Sequence, residues 1–482
     1  MQSTPANHQY ARVFEPTVGE FDDILINDIT GVLPPELSGT LYRNGPVRWE
    51  AGGFYAQHLF DGDGMVAKFV LADGRVHYRN RYVRTPKYLA EQAGKGATIR
   101  GLGTQRPGGL LANAGRLPAD RSNTHAIYYA QKLLTLSDDG PPRELDPDSL
   151  ATLGAYRFGG QLPALATFSP HPKFDPHTGE MFNWGIAVNT GPRRGALAAL
   201  RCYRIDHAGK LHTIATIALE HLRIGHDFGL TEKYLVFVLD PLVLARPVHA
   251  ALGLLDVAAA TEFRTELGSR VILVPRDGST PRQFDIPAIA KVHVNNAYDD
   301  GDDVVFDTVR YEDWDALTQL LADFRGHDTL RGGVLSRLRI SKSNHVSVED
   351  LCPLLGEFPM HDWRRTSLYY RYSYLVHADG ENPTQIVKVD NHTHAHTAYA
   401  GFGAGDFPGE PIFVPRSDHA AEDDGWLLLI TYLAGQHRNA LLVLDARHLD
   451  GPPVAVARLP HHFMPGFHGM FTHRISPTST PT

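Results

Sequence analysis

The sequence predicts an all-β protein built as a β-propeller, and two observations lead to this prediction. Short apolar runs that end in Asp, Asp-Gly or Asp-Pro are each followed by a turn and a second apolar run, as is typical of β-hairpins. The clearest examples cover residues 68–83, 144–158, 202–219, 337–351, 386–400 and 441–459. No Pro-, Gly- or Ser-rich linker divides the 482 residues, so we expect a single radially repeating domain over residues 1–482 rather than stacked sandwich domains.

Three segments interrupt the hairpin pattern. Residues 85–120 combine a helical stretch with an apolar loop, residues 240–263 are rich in Ala and Leu, and residues 312–327 have helical spacing. We expect insertions that form a helix-and-loop cap over one face, chiefly around 85–120 and 240–263. The segment 240–263 is too short and too interrupted to span a bilayer. It could contact a membrane surface or line an apolar entrance, and the alternative is a core helix or a packed loop.

Composition excludes several classes of function. The formal charge of −8 argues against nucleic acid as a partner, because phosphate binding needs a basic face. Two cysteines that stand 150 residues apart cannot form a disulfide framework or a thiolate metal site. The first residues lack the basic and apolar regions of a signal peptide, so a cytoplasmic location is expected. The acidic stretch at residues 60–65, FDGDGM, lacks the glutamate spacing of a calcium loop and is predicted to be a tight hairpin turn.

The 26 histidines make a search for a metal site worthwhile, and four of them stand in constrained settings. His171 lies between two prolines, His226 precedes a strand-like run, His293 ends one, and His468 lies among glycines near the carboxyl terminus. Their spacings of 55, 67 and 175 residues exclude a single helix or a zinc finger, but a propeller axis brings distant segments together. Four imidazoles suit Fe, Cu, Ni or Zn, and an octahedral ion would keep two positions for dioxygen and a water or substrate. The alternative at each position is an ordinary turn or core histidine.

Nine short motifs, in order from about residue 20 to 472, together resemble the carotenoid cleavage oxygenase family. They are GTLYRNGP (39–46), HLFDGDGMV (58–66), SPHPKFDPHTGE (169–180), GHDFGLTEKYLVF (225–237), VHVNNAYDDGD (292–302), GEFP (356–359), GEPIFVPR (409–416), EDDGWLL (422–428) and GFHG (466–469). The resemblance implies a seven-bladed propeller with a cap, one Fe(II) per chain on the axis, and a substrate tunnel through the cap. It also implies oxidative cleavage of a conjugated C=C bond by O2, which gives two carbonyl products.

The resemblance further implies roles for individual residues. The iron ligands would be His171, His226, His293 and His468; carboxylates that hold three of these rings would be Asp138, Glu357 and Glu410; and Thr124 would shape an open coordination position. Asp138 stands where the family usually has Glu. Because Asp is one methylene shorter, its contact with an imidazole could be direct or bridged by water.

The same resemblance bears on the substrate. In the stilbene and phenylpropene branch of the family, a Lys usually precedes the first carboxylate and a Tyr lies on the cap, whereas this chain has Ser137 and no Tyr in residues 99–109. These differences favour a long apolar apocarotenoid or carotenoid, which would bind mainly by burial. A stilbene or phenylpropene such as isoeugenol is the alternative substrate, and a non-catalytic ligand-binding propeller is the alternative from another class. The oligomeric state is left open.

Overall fold

The computed structural model describes residues 10–17, 19–95, 100–188, 198–312, 314, 318, 321, 324, 331–380 and 384–478. Strands dominate it, and the α-helices with described bounds are one turn long: α1 (Pro86–Ala90), α2 (Gly109–Asn113) and α3 (Pro247–Ala251). Residues Glu91–Lys95 continue α1 as a π-helical turn. Short 3-10 turns cover Ala11–Phe14, Leu59–Asp61, Phe158–Gly160, Thr265–Leu267, Trp363–Arg365 and Ala434–Gln436.

The strands of the described residues form six antiparallel sheets of four or more strands. Sheet 1 contains β1 (Ile24–Leu25), β3 (Gly39–Arg48), β6 (Asp63–Ala72), β7 (Arg75–Tyr82) and β34 (His468–Thr472). Sheet 2 contains β8 (His125–Tyr129), β9 (Lys132–Leu136), β10 (Arg143–Leu145) and β11 (Thr152–Ala155). Sheet 3 contains β12 (Lys173–Phe174), β13 (Met181–Val188), β14 (Ala198–Ile205) and β15 (Leu211–Leu219). Sheet 4 contains β16 (Gly229–Leu230), β17 (Tyr234–Leu239), β20 (Ser269–Pro275) and β21 (Arg282–Ile286).

The two remaining sheets are larger. Sheet 5 contains β22 (Ala290–Asp300), β23 (Asp303–Tyr311), β24 (Gly333–Ile340), β25 (Val346–Met360), β26 (Tyr372–His377), β27 (Gln385–Asp390) and β28 (His396–Tyr399). Sheet 6 contains β2 (Ile29–Gly31), β29 (Phe407–Pro408), β30 (Ile412–Pro415), β31 (Gly425–Leu433), β32 (Arg438–Asp445) and β33 (Ala455–Arg458). Two-stranded pairs are formed by β4 (Glu50–Ala51) with β5 (Phe54–Tyr55), and by β18 (Leu242–Leu244) with β19 (Thr261–Phe263).

Apolar clusters join each sheet to the next and the last sheet to the first. The cluster pairs from sheet 1 onward include Tyr42 with Ala126, Ile127 with Met181, Trp184 with Phe237, Val238 with Phe306, Tyr374 with Phe413, and Trp426 with Phe69. Strands such as β6 and β23 are buried along almost their whole length because both faces of their sheets are covered. This closed ring confirms the all-β propeller. The count of seven blades stays a prediction. The six sheets would give seven blades if the seven-stranded sheet 5 is counted as two.

Both chain ends take part in closing the ring. The carboxyl-terminal β34 pairs with β3 in sheet 1, from Thr40–Thr472 to Asn44–His468. The amino-terminal β2 pairs with β33 in sheet 6, from Ile29–Ala457 to Gly31–Ala455. Each of these two sheets therefore combines strands from opposite ends of the sequence, so two separate strand pairings close the ring of sheets.

All six predicted hairpins are confirmed, whereas the predicted turn at residues 60–65 is wrong. The hairpins are β6–β7, β10–β11, β14–β15, β24–β25, β27–β28 and β32–β33. In FDGDGM, a 3-10 turn that ends at Asp61 leads directly into β6. The buried Asp61 carboxylate accepts hydrogen bonds from the N–H groups of Leu102 and Gly103, at 2.7 and 3.0 Å. This side chain anchors the 100–120 segment, so it supplies a long-range contact that the local turn pattern does not reveal.

The segments predicted to form the cap contact each other. Within 240–263, the structure has the strand β18, the helix α3 and the strand β19. The Gly115 N–H donates to the Ala251 carbonyl at 2.8 Å, and the Val257 N–H donates to the Leu102 carbonyl at 3.0 Å. The two insertions are thus joined by backbone hydrogen bonds. Most of the helix predicted at 312–327 lies outside the described residues.

Candidate metal centre

Four histidines, each in or shortly before an edge strand of a different sheet, converge on one point. One possible ligand atom from each of His171, His226, His293 and His468 lies within 4.8 Å of all the others. The ring centroid of His171 lies 4.4 Å from that of His226 and 4.5 Å from that of His468. These are the four histidines that the sequence singles out, so the structure brings the predicted set together.

The position of each histidine follows from the strand beside it. His171 and His226 shortly precede β12 and β16, His293 lies in β22, and His468 begins β34. These four strands are the edge strands of sheets 3, 4, 5 and 1. Edge strands that line the centre of a propeller place their side chains near the axis. Segments up to 297 residues apart in the sequence therefore meet there.

Glycines permit the close approach of the last strand to β3. Gly466 has φ of 88°, and a Cβ atom there would lie 2.8 Å from the Asn44 carbonyl oxygen. A Cβ atom on Gly469 would lie 2.1 Å from the Tyr42 carbonyl oxygen. The glycines on both sides of His468 are thus required by packing, and the first is also required by its backbone conformation.

Three carboxylates contact the Nδ1 atoms of three of the rings. The contacts are Glu357 Oε2 with His293 at 2.5 Å, Glu410 Oε1 with His468 at 2.8 Å, and Asp138 Oδ2 with His226 at 3.2 Å. The Asp138 contact is direct, despite the shorter side chain. Because Nδ1–H donates to a carboxylate in each case, the Nε2 lone pair is left facing the centre.

His171 is held differently. Among the described residues, the carboxylate nearest to its Nδ1 is Asp227, whose Oδ2 lies 4.0 Å away. That carboxylate already accepts hydrogen bonds from Lys173 Nζ at 2.9 Å and from the Val294 N–H at 2.8 Å. Burial, followed by the neighbouring histidines, holds the pKa of His171 well below its usual value. Its imidazole is consequently neutral, the form that binds a metal.

Electrostatics distinguish the other rings. Burial, followed by the charge of nearby histidines, also lowers the pKa of His468 well below normal. At His226, burial favours the neutral ring, but the adjacent Asp138 outweighs it and raises the pKa. Burial alone would raise the pKa of Glu357, but His293 and two further hydrogen bonds lower it below the usual value. This carboxylate is therefore ionised at neutral pH.

The nitrogen atoms at the centre fit a divalent cation. His293 Nε2 is buried and has no hydrogen-bond partner among the described residues, and His171 Nε2 lies 2.9 Å from His226 Nε2. His226 directs its Nδ1–H to Asp138, so its Nε2 carries a lone pair that is available to a cation, as is the Nε2 atom of His293. Four converging imidazole nitrogens without a thiolate are a donor set for a borderline metal such as iron. The arrangement can therefore hold one metal ion.

Comparisons with known proteins find relatives along nearly the whole chain. The family model described as RPE65, retinal pigment epithelial membrane protein, matches residues 14–473. This chain belongs to the RPE65/carotenoid oxygenase family. It is 34% identical to apocarotenoid-15,15'-oxygenase of Synechocystis over 93% of each chain, and 28% identical to isoeugenol monooxygenase of Pseudomonas nitroreducens over 94% of this chain and 95% of that one. The structure of cobalt-substituted Synechocystis apocarotenoid oxygenase superposes with a TM-score of 0.88 at 32% identity, covering 96% of this chain and 98% of that one.

Two side chains that support the carboxylates were missed by the sequence analysis. In this family member, the buried Arg43 donates to Glu410 Oε2 at 2.6 Å and to the Phe467 carbonyl at 3.1 Å. The Tyr311 hydroxyl donates to Glu357 Oε1 at 2.8 Å. Arg43 stands in the motif GTLYRNGP, where a cation within an apolar strand was the available signal. Tyr311 ends β23 and carries no comparable signal.

A fifth histidine bridges two of the loops that carry the converging rings. His125 Nδ1 lies 2.6 Å from the Pro170 carbonyl, and its Nε2 lies 3.2 Å from the Gly469 carbonyl. These carbonyls belong to the residues adjacent to His171 and His468. His125 therefore lies between the backbone segments that carry His171 and His468. Burial lowers its pKa, so the neutral ring has one N–H and donates to one of the two carbonyls at a time.

Thr124 lies beside the cluster, at the start of sheet 2. Its carbonyl accepts the His468 N–H at 3.1 Å, and its own N–H donates to the Leu136 carbonyl at 3.0 Å. Its buried hydroxyl donates to Asn123 Oδ1 at 3.3 Å. The backbone of Thr124 thus fixes the start of β34, and the predicted role of its side chain at an open coordination position stays a prediction.

Proposed function

We propose that this protein is an Fe(II)-dependent oxygenase that uses O2 to cleave a conjugated C=C bond and releases aldehyde or ketone products. The observation that carries this proposal is the convergence of four imidazoles, three of them backed by carboxylates. Membership of the RPE65/carotenoid oxygenase family, with relatives named as apocarotenoid, carotenoid and isoeugenol oxygenases, supports it.

In this proposal His171, His226, His293 and His468 hold one Fe²⁺ per chain. The iron, when bound, supplies the activation of O2 that an organic side chain cannot provide. The carboxylates Asp138, Glu357 and Glu410 fix the tautomers of three rings and orient their Nε2 atoms. Thr124 shapes the space beside His468, and the buried surroundings restrict access of bulk water to the reacting double bond.

We further propose an apocarotenoid as the substrate. Ser137 is buried, and its hydroxyl donates to Asp120 Oδ1 at 3.3 Å, so this position supplies no cation for a phenolate. The Phe358 ring lies 5.5 Å from both His293 and His468, which gives the site an aromatic wall. Aromatic and apolar walls bind a polyene through burial and need few polar contacts.

The test is a substrate comparison with the iron-loaded enzyme. An apocarotenal, a hydroxystilbene and isoeugenol are each incubated in air and under anaerobiosis, and the products are identified by chromatography and mass spectrometry. We expect O2-dependent cleavage of the apocarotenal, and loss of both iron and activity in His468→Ala. Turnover of only the phenolic substrates would reject the apocarotenoid assignment. A folded protein that binds an apocarotenal but turns over none of the three would instead favour the non-catalytic alternative.

We also propose that the linked insertions contact a membrane surface, where a polyene substrate dissolves. Leu111 is 97% exposed, and Leu117 and Val248 are also largely exposed on these segments. Among the described residues, no helix has the length and apolar character needed to cross a membrane. The double variant Leu111→Glu/Val248→Glu should reduce sedimentation with liposomes, whereas Leu153→Glu, at an exposed position in β11, should not. Equal sedimentation of the unmodified protein, the double variant and Leu153→Glu would contradict the proposal.

A further inference from the structure

A second group of metal-binding side chains lies outside the central cluster. One possible ligand atom from each of Glu15, His437 and His462 lies within 4.8 Å of the other two. Glu15 follows the 3-10 turn Ala11–Phe14, and His437 follows the 3-10 turn Ala434–Gln436 between β31 and β32. His462 belongs to the segment between β33 and β34, and β34 begins at His468. Three distant parts of the chain therefore meet at this point.

The contacts within this group orient the rings as ligands. His437 Nε2 lies 3.5 Å from Glu15 Oε2, and its Nδ1 lies 2.8 Å from the Tyr432 hydroxyl. The rings of His437 and His462 have their centroids 4.0 Å apart. His462 Nε2 also lies 3.3 Å from the Glu15 carbonyl. Hydrogen bonds from the non-ligating side of an imidazole to a hydroxyl or a carbonyl are the usual support of a histidine metal ligand.

The charges around the group favour neutral imidazoles. Burial, followed by the nearby Arg12, lowers the pKa of His437. Burial, followed by His437, lowers the pKa of His462. Both rings are therefore available to a cation at neutral pH. Arg12 Nε lies 3.7 Å from Glu15 Oε1, so Arg12 is the group that a cation would have to displace from this carboxylate.

We propose that Glu15, His437 and His462 form a second metal site that binds a borderline divalent cation, with Zn²⁺ as the representative ion. Two imidazole nitrogens and one carboxylate oxygen are donors that Zn²⁺ accepts in a tetrahedral site with one open position. The Glu15 side chain is half-exposed, so its rotation can bring the three atoms to coordination distance. Water is accessible from the same side and can fill the open position.

The consequence would be a link between the amino-terminal segment and the loop that carries His468. Phe14, next to Glu15, packs edge-on against Trp49 and Phe407, at centroid distances of 5.7 and 6.2 Å. Phe14 and Phe467 belong to the same apolar cluster. A cation at the second site would therefore hold residues 10–17 on the surface that supports the His468 loop.

The test is a zinc titration of the iron-loaded protein against a chromophoric chelator, with iron release measured in parallel. We expect one Zn²⁺ per chain to bind without displacing iron. Tyr432→Phe should weaken zinc binding by about 10-fold, the usual effect of losing a supporting hydrogen bond, and His437→Ala should weaken it further. Arg12→Gln should tighten binding, because it removes the competing cation. The exposed His448→Ala is the matched control and should bind zinc as the unmodified protein does.

Proteolysis supplies a second readout, because Arg12 is half-exposed and offers trypsin a cleavage point. Zinc should slow cleavage there in the unmodified protein but not in His437→Ala. If His437→Ala does not fold, Glu15→Gln replaces it, because the Glu15 side chain is half-exposed and its substitution should disturb the fold less. Zinc that binds only by displacing iron would overturn the proposal, and so would equal zinc binding by Glu15→Gln and His448→Ala.

Discussion

Replacing the carboxylates that contact the histidines should weaken iron binding unequally. The informative pair is Glu357→Gln and Asp138→Asn, since both changes keep the size of the side chain and remove its charge. Glu357 lies 2.5 Å from His293 Nδ1, and its side chain is 17% exposed. Asp138 lies 3.2 Å from His226 Nδ1, and its side chain is 39% exposed. The shorter and more buried contact should contribute more.

The magnitudes follow from burial. A buried hydrogen bond to a charged group contributes about 1.5–3 kcal/mol, which corresponds to a change in affinity of about 10- to 150-fold. An exposed ion pair contributes about 0.2–1 kcal/mol, or up to about 5-fold, because water screens it. We therefore expect Glu357→Gln to lose at least about 10-fold in Fe(II) affinity, and Asp138→Asn to lose less than about 5-fold.

The assay is an anaerobic competition for Fe(II) between each protein and a chromophoric chelator. Circular dichroism and urea unfolding check that both variants stay folded, and activity at saturating iron separates metal loss from damage to the reaction. Equal losses in the two variants, or a larger loss in Asp138→Asn, would refute the argument that burial sets the strength of these contacts.

Three further predictions concern residues around the site. Arg43→Met should lower the free energy of unfolding by about 3–5 kcal/mol, because it leaves Glu410 buried without its cation. Adding Glu410→Gln should recover part of that loss in urea unfolding, and no recovery would contradict the pairing. Burial lowers the pKa of His461 to about 4, below the value near 6.5 in the unfolded chain. The unfolded state then binds more protons between these values, so stability should fall by up to about 3 kcal/mol as the pH drops from 6.5 to 4, and His461→Gln should show a smaller fall. His125→Leu should reduce Fe(II) affinity by about 10-fold in the chelator assay without unfolding the protein, and unchanged affinity would show that its two carbonyl contacts do not position the rings.

The local features of the fold could be predicted from the sequence because they depend on neighbours in the chain. Turn residues such as the Asp73-Gly74 pair set the hairpin between β6 and β7, where both residues have positive φ. The setting of the four histidines made their convergence at a propeller axis possible, but the resemblance to a family was needed to select them among the 26 histidines, since each could also be an ordinary turn or core residue.

Features that depend on distant contacts could not be predicted in the same way. Asp61 was assigned to a local turn because its partners, Leu102 and Gly103, lie about 40 residues away and have no distinctive side chains. His125 contacts the Pro170 and Gly469 carbonyls. Every residue has a backbone carbonyl, so such partners cannot be recognised from a sequence. The direct contact of Asp138 was left open because it depends on fractions of an ångström in backbone position. Sequence patterns identify which residues can act, whereas the packing between sheets decides which atoms meet.

The last strand closes the ring and also carries one of the four converging histidines, and this limits what a deletion can reveal. Deleting the chain from His468 would remove β34 together with the His468 imidazole, and it would leave β3 as an edge strand whose five paired residues have lost their partners. Loss of iron from such a protein would follow from unfolding alone. His468→Ala separates the two effects, because the hydrogen bond from its N–H to the Thr124 carbonyl belongs to the backbone and is retained. We expect His468→Ala to keep the circular dichroism of an all-β protein and cooperative unfolding while its iron content falls well below one per chain. If His468→Ala keeps one iron per chain, His468 is not a ligand. If it is as unfolded as the truncated chain, the closed ring of sheets needs this side chain.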